Sequence, residues 1–267
     1  MTRAIILAAG RGSRLHPYTS ECPKCLTELG GQTLIDRQLA VMRACGIEDI
    51  VIVAGYRADM LNLNGTTQVL NDAWSSTNMV ESLFSAEDLF CDDLIISYSD
   101  IIFEQRVLMA LLESDAPASV VVDKNWKEYW EFRFDDPLSD AESLRMNCDG
   151  EIREIGNKVS NINEIEAQYI GLMRFKQQGI DAMQAAKHSL NVNYRPWKDK
   201  RSAKNAYMTD LLMEMVLNNF PLAAVPIKNG WLEIDTVSDF EEAAAGFADG
   251  SIAKFFDPMT GGKKIES

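Results

Sequence analysis

The feature that most constrains the fold is an apolar strand that runs directly into a glycine-rich loop near the N-terminus. The run AIILAAG, residues 4–10, is followed by RGSRLHPYTSECPKCL, residues 11–26. Gly10 and Gly12 let the backbone approach a ligand closely, and successive amide groups in such a loop form a site for an anion. Arg14 and Lys24 add two cations to the same loop. The segment therefore predicts a binding site for a phosphate chain.

Two other glycine-loop motifs do not fit this segment. A dinucleotide-binding fingerprint needs a third glycine three residues after Gly12, where Leu15 stands. A P-loop closes with Gly-Lys-Ser or Gly-Lys-Thr, which is absent from the loop. A tight turn without a ligand is the alternative for two glycines alone, and Arg14 and Lys24 weigh against it.

Short apolar runs alternate with amphipathic stretches over the first hundred residues, which predicts βαβ units around a mainly parallel sheet. We expect Thr33 and Asn78 to cap the helices that they begin. Residues 1–246 are predicted to form a single Rossmann-like α/β domain, a mixed sheet flanked by helices. An insertion or lid is expected at about 124–165 and a marginally ordered tail at 247–267. The predicted strands cover 3–8, 50–54, 94–98, 167–175 and 231–234, and the predicted helices cover 33–45, a segment from 78, 177–189 and 206–218.

Charge and hydropathy limit the partners of the chain. There are 40 Asp and Glu residues against 26 Lys and Arg, a net charge of -14. Such a surface repels nucleic-acid phosphates, so we expect a small-molecule substrate and no nucleic acid. No apolar run approaches the roughly 20 residues that cross a bilayer, and the N-terminus does not resemble a signal peptide. We therefore expect a cytoplasmic protein that does not bind membranes, and leave open a homodimer.

The cysteines offer a competing site. Cys22 and Cys25 have the C-x-x-C spacing of redox and zinc motifs. A structural zinc site needs four ligands, and the sequence supplies no second cysteine pair or histidine cluster. We interpret these two cysteines as packing around Lys24.

Two acidic residues follow predicted strands. Asp100 comes after the strand at 94–98, and Asp235 comes after the strand at 231–234. Ligands of open α/β sheets bind outside the carboxyl ends of the strands. Two carboxylates that meet there can hold Mg²⁺ through oxygen ligands, whereas either one alone would be interpreted as a helix cap. Together with the glycine loop they predict a magnesium site.

The run LAAGRGSRL followed by PKCL resembles the hallmark of the sugar-phosphate and phosphocholine nucleotidyltransferase superfamily, and the resemblance extends from residue 4 to about 240. It implies a nucleotidyltransferase with Mg²⁺ as cofactor. Lys24 and Arg14 would be catalytic, stabilising charge on the phosphates, and Asp100 and Asp235 would hold the metal. The residues that the resemblance assigns to the nucleotide are Leu7, Ala8, Ala9, Gly10, Arg11, Gly12, Ser13, Gly55, Tyr56, Asn78, Ser82 and Ser99.

The donor and acceptor follow from a second resemblance. The stretch STNMVESLF at 76–84 stands where hexose-1-phosphate enzymes carry a Gly-Thr-Ala segment. With ISYSD after it, the stretch resembles cytidylyltransferases that act on phosphocholine, phosphonates or, in capsule synthesis, phosphoglutamine. This implies CTP as donor, a small phosphorylated acceptor and release of pyrophosphate. The alternatives are a sugar-1-phosphate nucleotidyltransferase and a non-catalytic, nucleotide-binding regulatory protein.

The acceptor region is ambiguous at the level of sequence. Tryptophans and a tyrosine, with Trp231, could form a cage for a quaternary amine, and Arg133 could pair with a phosphate or a carboxylate. Glu166 could bind an ammonium group or support the metal. Packing in a lid or core, or an exposed strand edge, is the alternative for each of them. The residues assigned to the acceptor are Trp126, Trp130, Arg133, Glu166, Gln168 and Tyr169.

Overall fold

Strands and helices alternate through the computed structural model of the chain, which describes residues 1–192 and 202–260. The strands are β1 (Arg3–Ala8), β2 (Glu28–Leu29), β3 (Gln32–Thr33), β4 (Asp49–Ala54), β5 (Thr67–Leu70), β6 (Asp93–Tyr98), β7 (Ile101–Phe103), β8 (Ala118–Asp123), β9 (Glu142–Met146), β10 (Ile152–Lys158), β11 (Gln168–Lys176), β12 (Ala223–Ile227) and β13 (Trp231–Glu233). The α-helices are α1 (Leu34–Ala44), α2 (Met79–Phe84), α3 (Gln105–Leu112), α4 (Trp126–Arg133), α5 (Gln177–Val192), α6 (Met208–Leu217) and α7 (Val237–Asp249).

The central sheet has seven strands in the order β12-β8-β11-β6-β1-β4-β5. Neighbouring strands are parallel except at β11, which runs antiparallel to both β8 and β6. The predicted class, a mainly parallel mixed sheet flanked by helices, is confirmed. Strand β1 has β4 on one side and β6 on the other, so the order of the strands reverses at β1. Ligands of doubly wound sheets bind at such a reversal, outside the carboxyl ends of the strands.

Both faces of the sheet are buried, as the alternation along β1 shows. Ile5 and Leu7 belong to one apolar cluster, whereas Ala4 and Ile6 belong to another. Helices α2, α5 and α6 cover the first cluster, and α1, α3, α4 and α7 contribute to the second. Burial on both faces explains why the strands read as continuous apolar runs in the sequence.

The helix caps near the site follow the sequence closely. The Thr33 hydroxyl accepts a hydrogen bond from the Asp36 amide at 3.1 Å, and the Asn78 side chain accepts one from the Met79 amide at 2.8 Å. Gly46 ends the first helix region with φ of 80°. The predicted caps at Thr33 and Asn78 are confirmed.

The predicted lid is wrong for its helical part. Within the segment 124–165, the side chains of Trp126, Tyr129 and Trp130 are almost wholly buried, and the last two pack against Trp231. Helix α4 is therefore part of the core, because its large aromatic side chains are buried against the rest of the domain. The rest of the segment includes the antiparallel pair β9 and β10, the second of which packs against α6.

The predicted tail also differs from the structure. Helix α7 continues past residue 246 to Asp249, and Phe255 and Phe256 are only 3% and 1% exposed. Residues 247–260 are thus packed onto the domain, and the rest of the predicted tail, 261–267, lies outside the described residues. In the part of the chain that the structure covers, no helix combines the length and hydropathy needed to span a bilayer.

Candidate functional site

The glycine loop after β1 folds back so that its second glycine lies against Lys24. Gly12 has a φ of 68°, a backbone conformation that residues other than glycine adopt rarely. A Cβ at this position would lie 2.8 Å from the Cβ of Lys24. The Gly12 carbonyl accepts hydrogen bonds from the Thr19 hydroxyl at 2.8 Å and from the Leu15 amide at 3.0 Å. Glycine is therefore required here by both backbone conformation and space.

Lys24 lies between two carboxylates. Its ammonium contacts Asp100 Oδ2 at 2.7 Å and also pairs with Asp235 Oδ1. The Lys24 side chain is 8% exposed, and Arg14 reaches Asp235 Oδ2 at 2.6 Å from a largely exposed position. Burial alone lowers the pKa of Lys24, but the two carboxylates more than offset it, so the pKa lies above its usual value. The amine is held as a cation at the base of the glycine loop.

The two strand ends that carry these carboxylates are joined through the backbone. The Ile234 amide donates to the Asp100 carbonyl at 2.9 Å. Asp100 Oδ1 is buried and has no hydrogen-bond partner within the described residues. A buried carboxylate oxygen without a partner is costly, so this atom is ready to accept a cation or a hydrogen-bond donor.

Gln38 of α1 fixes the loop between β6 and β7 that carries Asp100. Its side-chain amide is wholly buried and donates to the carbonyls of Tyr98 at 2.9 Å and Ile101 at 2.6 Å. The Ser97 hydroxyl donates to Gln38 Oε1 at 2.9 Å. The loop is thus held on both sides of Asp100.

A cavity of about 270 Å³ opens between the glycine loop, α2 and the strand ends. Most of the residues assigned to the nucleotide and the metal line this cavity, and so do the four charged residues Arg14, Lys24, Asp100 and Asp235. The lining residues are Leu7, Ala9, Gly10, Gly12, Ser13, Arg14, Lys24, Trp74, Thr77, Asn78, Met79, Ser82, Tyr98, Ser99, Asp100 and Asp235.

Comparisons with known proteins identify the family of the chain. The family described as the MobA-like NTP transferase domain matches residues 4–155, more than half of the chain. The chain belongs to this family. Its members are nucleotidyltransferases by description, and the matched residues include the glycine loop, Lys24 and Asp100.

Two relatives and one solved structure extend the comparison. A CTP:phosphoglutamine cytidylyltransferase from Campylobacter jejuni is 39% identical over 249 residues, which cover 89% of this chain and 97% of the relative. A choline-phosphate cytidylyltransferase from Streptococcus pneumoniae is 32% identical over 38% of this chain and 46% of the relative. The structure of the CTP:phosphocholine cytidylyltransferase from Streptococcus pneumoniae superposes with a TM-score of 0.69 at 18% identity, covering 91% of this chain and 98% of that one. The resemblance to the cytidylyltransferase branch is confirmed.

Four of the residues assigned to the nucleotide, Ala8, Arg11, Gly55 and Tyr56, are not among those that line the cavity of this nucleotidyltransferase. Ala8 is buried in β1, and the Arg11 guanidinium lies 5.5 Å from the centre of the Tyr56 ring. The Tyr56 amide donates to the Ala9 carbonyl at 3.0 Å. Gly55 is packed so closely that a Cβ would lie 2.6 Å from that same carbonyl. Gly55 and Tyr56 thus hold Ala9 in place rather than line the cavity.

The sequence reasoning missed four lining residues. Thr77 and Met79 flank Asn78, and the spacing of this cap could have found them. Tyr98 ends β6 just before the assigned Ser99, whereas Trp74 lies in an irregular loop without any periodic signal. Trp74 reaches the cavity through long-range packing, with its ring 5.6 Å from the ring of Tyr56.

The aromatic cage expected for the acceptor is not formed. Trp126 and Trp130 are each 4% exposed and lie in the core, and neither lines the cavity. The Trp130 indole donates to Asp140 Oδ2 at 3.1 Å. Arg133, expected to bind a phosphate or carboxylate of the acceptor, instead pairs with two acidic residues of the protein. These three assignments are wrong, because the rings of α4 are required for packing and the arginine is already neutralised.

The remaining acceptor assignments lie on or before β11. Gln168 is buried and bonds with both backbone groups of Glu142, while Glu166 accepts from the Met146 amide at 3.3 Å. Tyr169 is the member of the set that approaches the cavity, because its ring packs edge-on against Tyr98 at 5.8 Å. Tyr169 therefore supports a lining residue, and the other two hold β9.

Proposed function

We propose that this nucleotidyltransferase transfers CMP from CTP to a small phosphorylated acceptor and releases pyrophosphate. The observation that carries the proposal is the placement of the Lys24 ammonium between Asp100 and Asp235, at the base of a glycine loop that opens into a cavity. The similarity to the Campylobacter jejuni phosphoglutamine enzyme, which extends over nearly the full length of both chains, supports CTP as donor and a phosphoglutamine-like acceptor.

The chain's own groups suit in-line displacement at the α-phosphorus of CTP. An acceptor phosphate oxygen would form the new P–O bond while the bond from the α-phosphorus to the bridging oxygen of pyrophosphate breaks. Amide groups of the glycine loop and the Arg14 guanidinium would bind the β- and γ-phosphates, and Lys24 would donate to the α-phosphate oxygens, where charge accumulates. A phosphate dianion attacks without a general base, in agreement with the absence of His16 and His188 from the cavity lining.

The two carboxylates fit Mg²⁺. Asp100 Oδ1 is a buried oxygen without a partner, and Asp235 lies across the same lysine. Over the described ranges 1–192 and 202–260, no group of three or more His, Cys, Asp or Glu side chains could hold a metal by itself. Asp100 and Asp235 would therefore hold Mg²⁺ together with phosphate oxygens and water, and the ion would polarise the phosphoryl group.

The test is pyrophosphate release measured over a panel of substrates. CTP, UTP, ATP and GTP are each combined with phosphoglutamine, phosphocholine, aminoethylphosphonate and glucose-1-phosphate, with Mg²⁺ or with a chelator. Release with CTP and one of the first three acceptors, dependent on Mg²⁺, is the expected result. Release with glucose-1-phosphate alone would replace the proposal by a sugar-1-phosphate nucleotidyltransferase, and no release with any pair would count against catalysis of this kind.

A further inference from the structure

The carboxylate of Asp239 holds the backbone of Asp235 in addition to capping a helix. Asp239 lies in the first turn of α7, and its side chain is 1% exposed. Its Oδ2 accepts hydrogen bonds from the amides of Thr236 at 2.8 Å and of Asp235 at 3.0 Å. An ordinary capping box uses only the first of these two bonds. The second ties the residue that pairs with Lys24 directly to a buried charge.

Arg133, at the end of α4, completes the arrangement. Its Nε and Nη2 donate to the two carboxylate oxygens of Asp239 at 2.9 and 3.1 Å. Its Nη1 donates to Glu233 Oε2 at 2.7 Å. One guanidinium therefore binds residues on both sides of Asp235 in the chain, and its planar fork fixes their separation.

The surroundings keep this guanidinium rigid. Its carbon lies 4.8 Å from the ring centre of Phe134, 5.3 Å from that of Trp130 and 5.4 Å from that of Tyr129. The Arg133 side chain is 2% exposed. Burial lowers the pKa of Arg133, but Glu233 and Asp239 raise it well above its usual value, so the group stays charged. The three rings of α4 and its flank thus form the pocket of a fixed cation.

We propose that Arg133 and Asp239 are positioning residues, which hold the Asp235 carboxylate where it meets Lys24, Arg14 and the metal. The proposal rests on the proposed function for its catalytic consequence. It replaces the acceptor-binding role expected for Arg133. It also gives a reason for burying an ion pair, which by itself contributes little net stability relative to apolar packing.

The experiment compares Arg133→Lys and Asp239→Asn with a matched control. Arg133→Lys keeps the charge but loses the planar fork, and Asp239→Asn keeps the shape but loses the charge. The control is Arg174→Lys, since Arg174 makes an equally bidentate pair with Asp93 at 2.7 and 2.9 Å. Asp93 is the first residue of β6, whereas the cavity lies beyond the last residue of that strand, so this pair is expected to serve stability alone.

Two readouts are independent of turnover. The first is the rate at which an acylating reagent modifies Lys24 in the metal-free protein, followed by mass spectrometry of the peptides. The second is the dissociation constant for Mn²⁺, measured by titration calorimetry. Steady-state kcat and the KM for CTP are measured alongside, and thermal unfolding shows that each variant is folded.

We expect the acylating reagent to modify Lys24 faster in both variants than in the control, because a displaced Asp235 no longer covers the amine. We expect Mn²⁺ affinity and kcat to fall about 10- to 100-fold, as for other residues that orient metal ligands. Folded variants with the Lys24 reactivity and Mn²⁺ affinity of Arg174→Lys would overturn the proposal. Should neither variant fold, amide exchange in the wild type decides: the Asp235 amide must be protected, and exchange at the rate of an exposed loop overturns the proposal.

Failure of the proposed function would look different. A wild-type protein that releases no pyrophosphate with any substrate pair would remove the catalytic consequence, while Lys24 reactivity and Mn²⁺ binding would still decide whether Arg133 and Asp239 position Asp235.

Discussion

Replacing Lys24 by Met should separate the stability of the site from its chemistry. The lysine side chain is 8% exposed and pairs with two carboxylates, Asp100 and Asp235, that are 23% and 11% exposed. Removing the ammonium leaves these carboxylates facing each other without the cation between them. Breaking a buried pair in this way costs about 3–5 kcal/mol, and the lower end is expected because Arg14 still reaches Asp235.

Divalent cations should restore part of this loss. Mg²⁺ between the same carboxylates replaces the missing positive charge, and a ligand at 100 times its dissociation constant stabilises the folded state by about 2.7 kcal/mol. We therefore expect Mg²⁺ to raise the melting temperature of Lys24→Met more than that of the wild type. The kcat should nevertheless fall about 10²- to 10³-fold, the usual cost of losing one donor to the charge of a transition state.

The assays are pyrophosphate release from CTP and thermal unfolding, each with and without Mg²⁺. Lys176→Met is the matched control, because it removes the same charge from a surface pair with Asp115 at 3.4 Å. Turnover near the wild-type value in folded Lys24→Met would refute a catalytic role for the lysine. An equal rise in melting temperature with Mg²⁺ in the wild type and in both variants would refute the idea that Mg²⁺ replaces the lost ammonium between the two carboxylates.

Three further perturbations test the walls of the site and the sheet that supports them. Gly171→Ala should raise the KM for CTP with a smaller change in kcat. The added Cβ would lie 2.4 Å from the ring of Tyr98, which lines the cavity, and Gly171 has a φ of 84° that disfavours alanine. An unchanged KM in a folded variant would contradict this expectation. Gln38→Leu should lower the free energy of unfolding, measured in urea, by about 2–3 kcal/mol, because the buried amide donates to two carbonyls and accepts from a hydroxyl at the β6–β7 loop. A loss below about 0.5 kcal/mol would show that the loop does not depend on Gln38. Burial raises the pKa of Asp93, but hydrogen bonds from Arg174 and Thr2 outweigh burial and lower it. The contribution of the Asp93 carboxylate to the free energy of unfolding is therefore complete above the unfolded pKa of about 3.9 and is lost as the pH falls through the folded value. The free energies of unfolding in urea of Asp93→Asn and the wild type should converge as the pH is lowered, and a difference that stays constant would exclude the pair as the cause.

Much of the nucleotide side of the site could be read from the sequence because its signals are local. The glycine loop, the Thr33 and Asn78 caps and the ends of β1 and β6 depend on residues within a few positions of one another. Asp100 follows β6 of the central sheet, where a ligand is expected from the sequence. Asp235 follows β13, which pairs antiparallel with β7 in a separate two-stranded sheet, so the arrival of both carboxylates at one lysine depends on that long-range pairing.

The acceptor side shows the limit of such reasoning. An aromatic-rich helix such as α4 has the same sequence whether it covers a pocket or fills a core. The difference lies in Trp231, Phe255 and Asp239, which come from about 100 residues further along the chain. The packing of residues 247–260 could not be predicted for the same reason, because the phenylalanines of this segment are buried only by contact with distant parts of the folded domain.

Local signals in the sequence are sufficient to predict the class of fold, the glycine loop and the two cations on it, since each rests on backbone conformation or periodicity within one segment. Tertiary structure alone decided that Trp74 and Tyr98 line the cavity and that Arg133 holds Asp239 instead of a substrate. The physical reason is that burial and ion pairing depend on which distant surfaces meet, and no local pattern along the chain records that meeting.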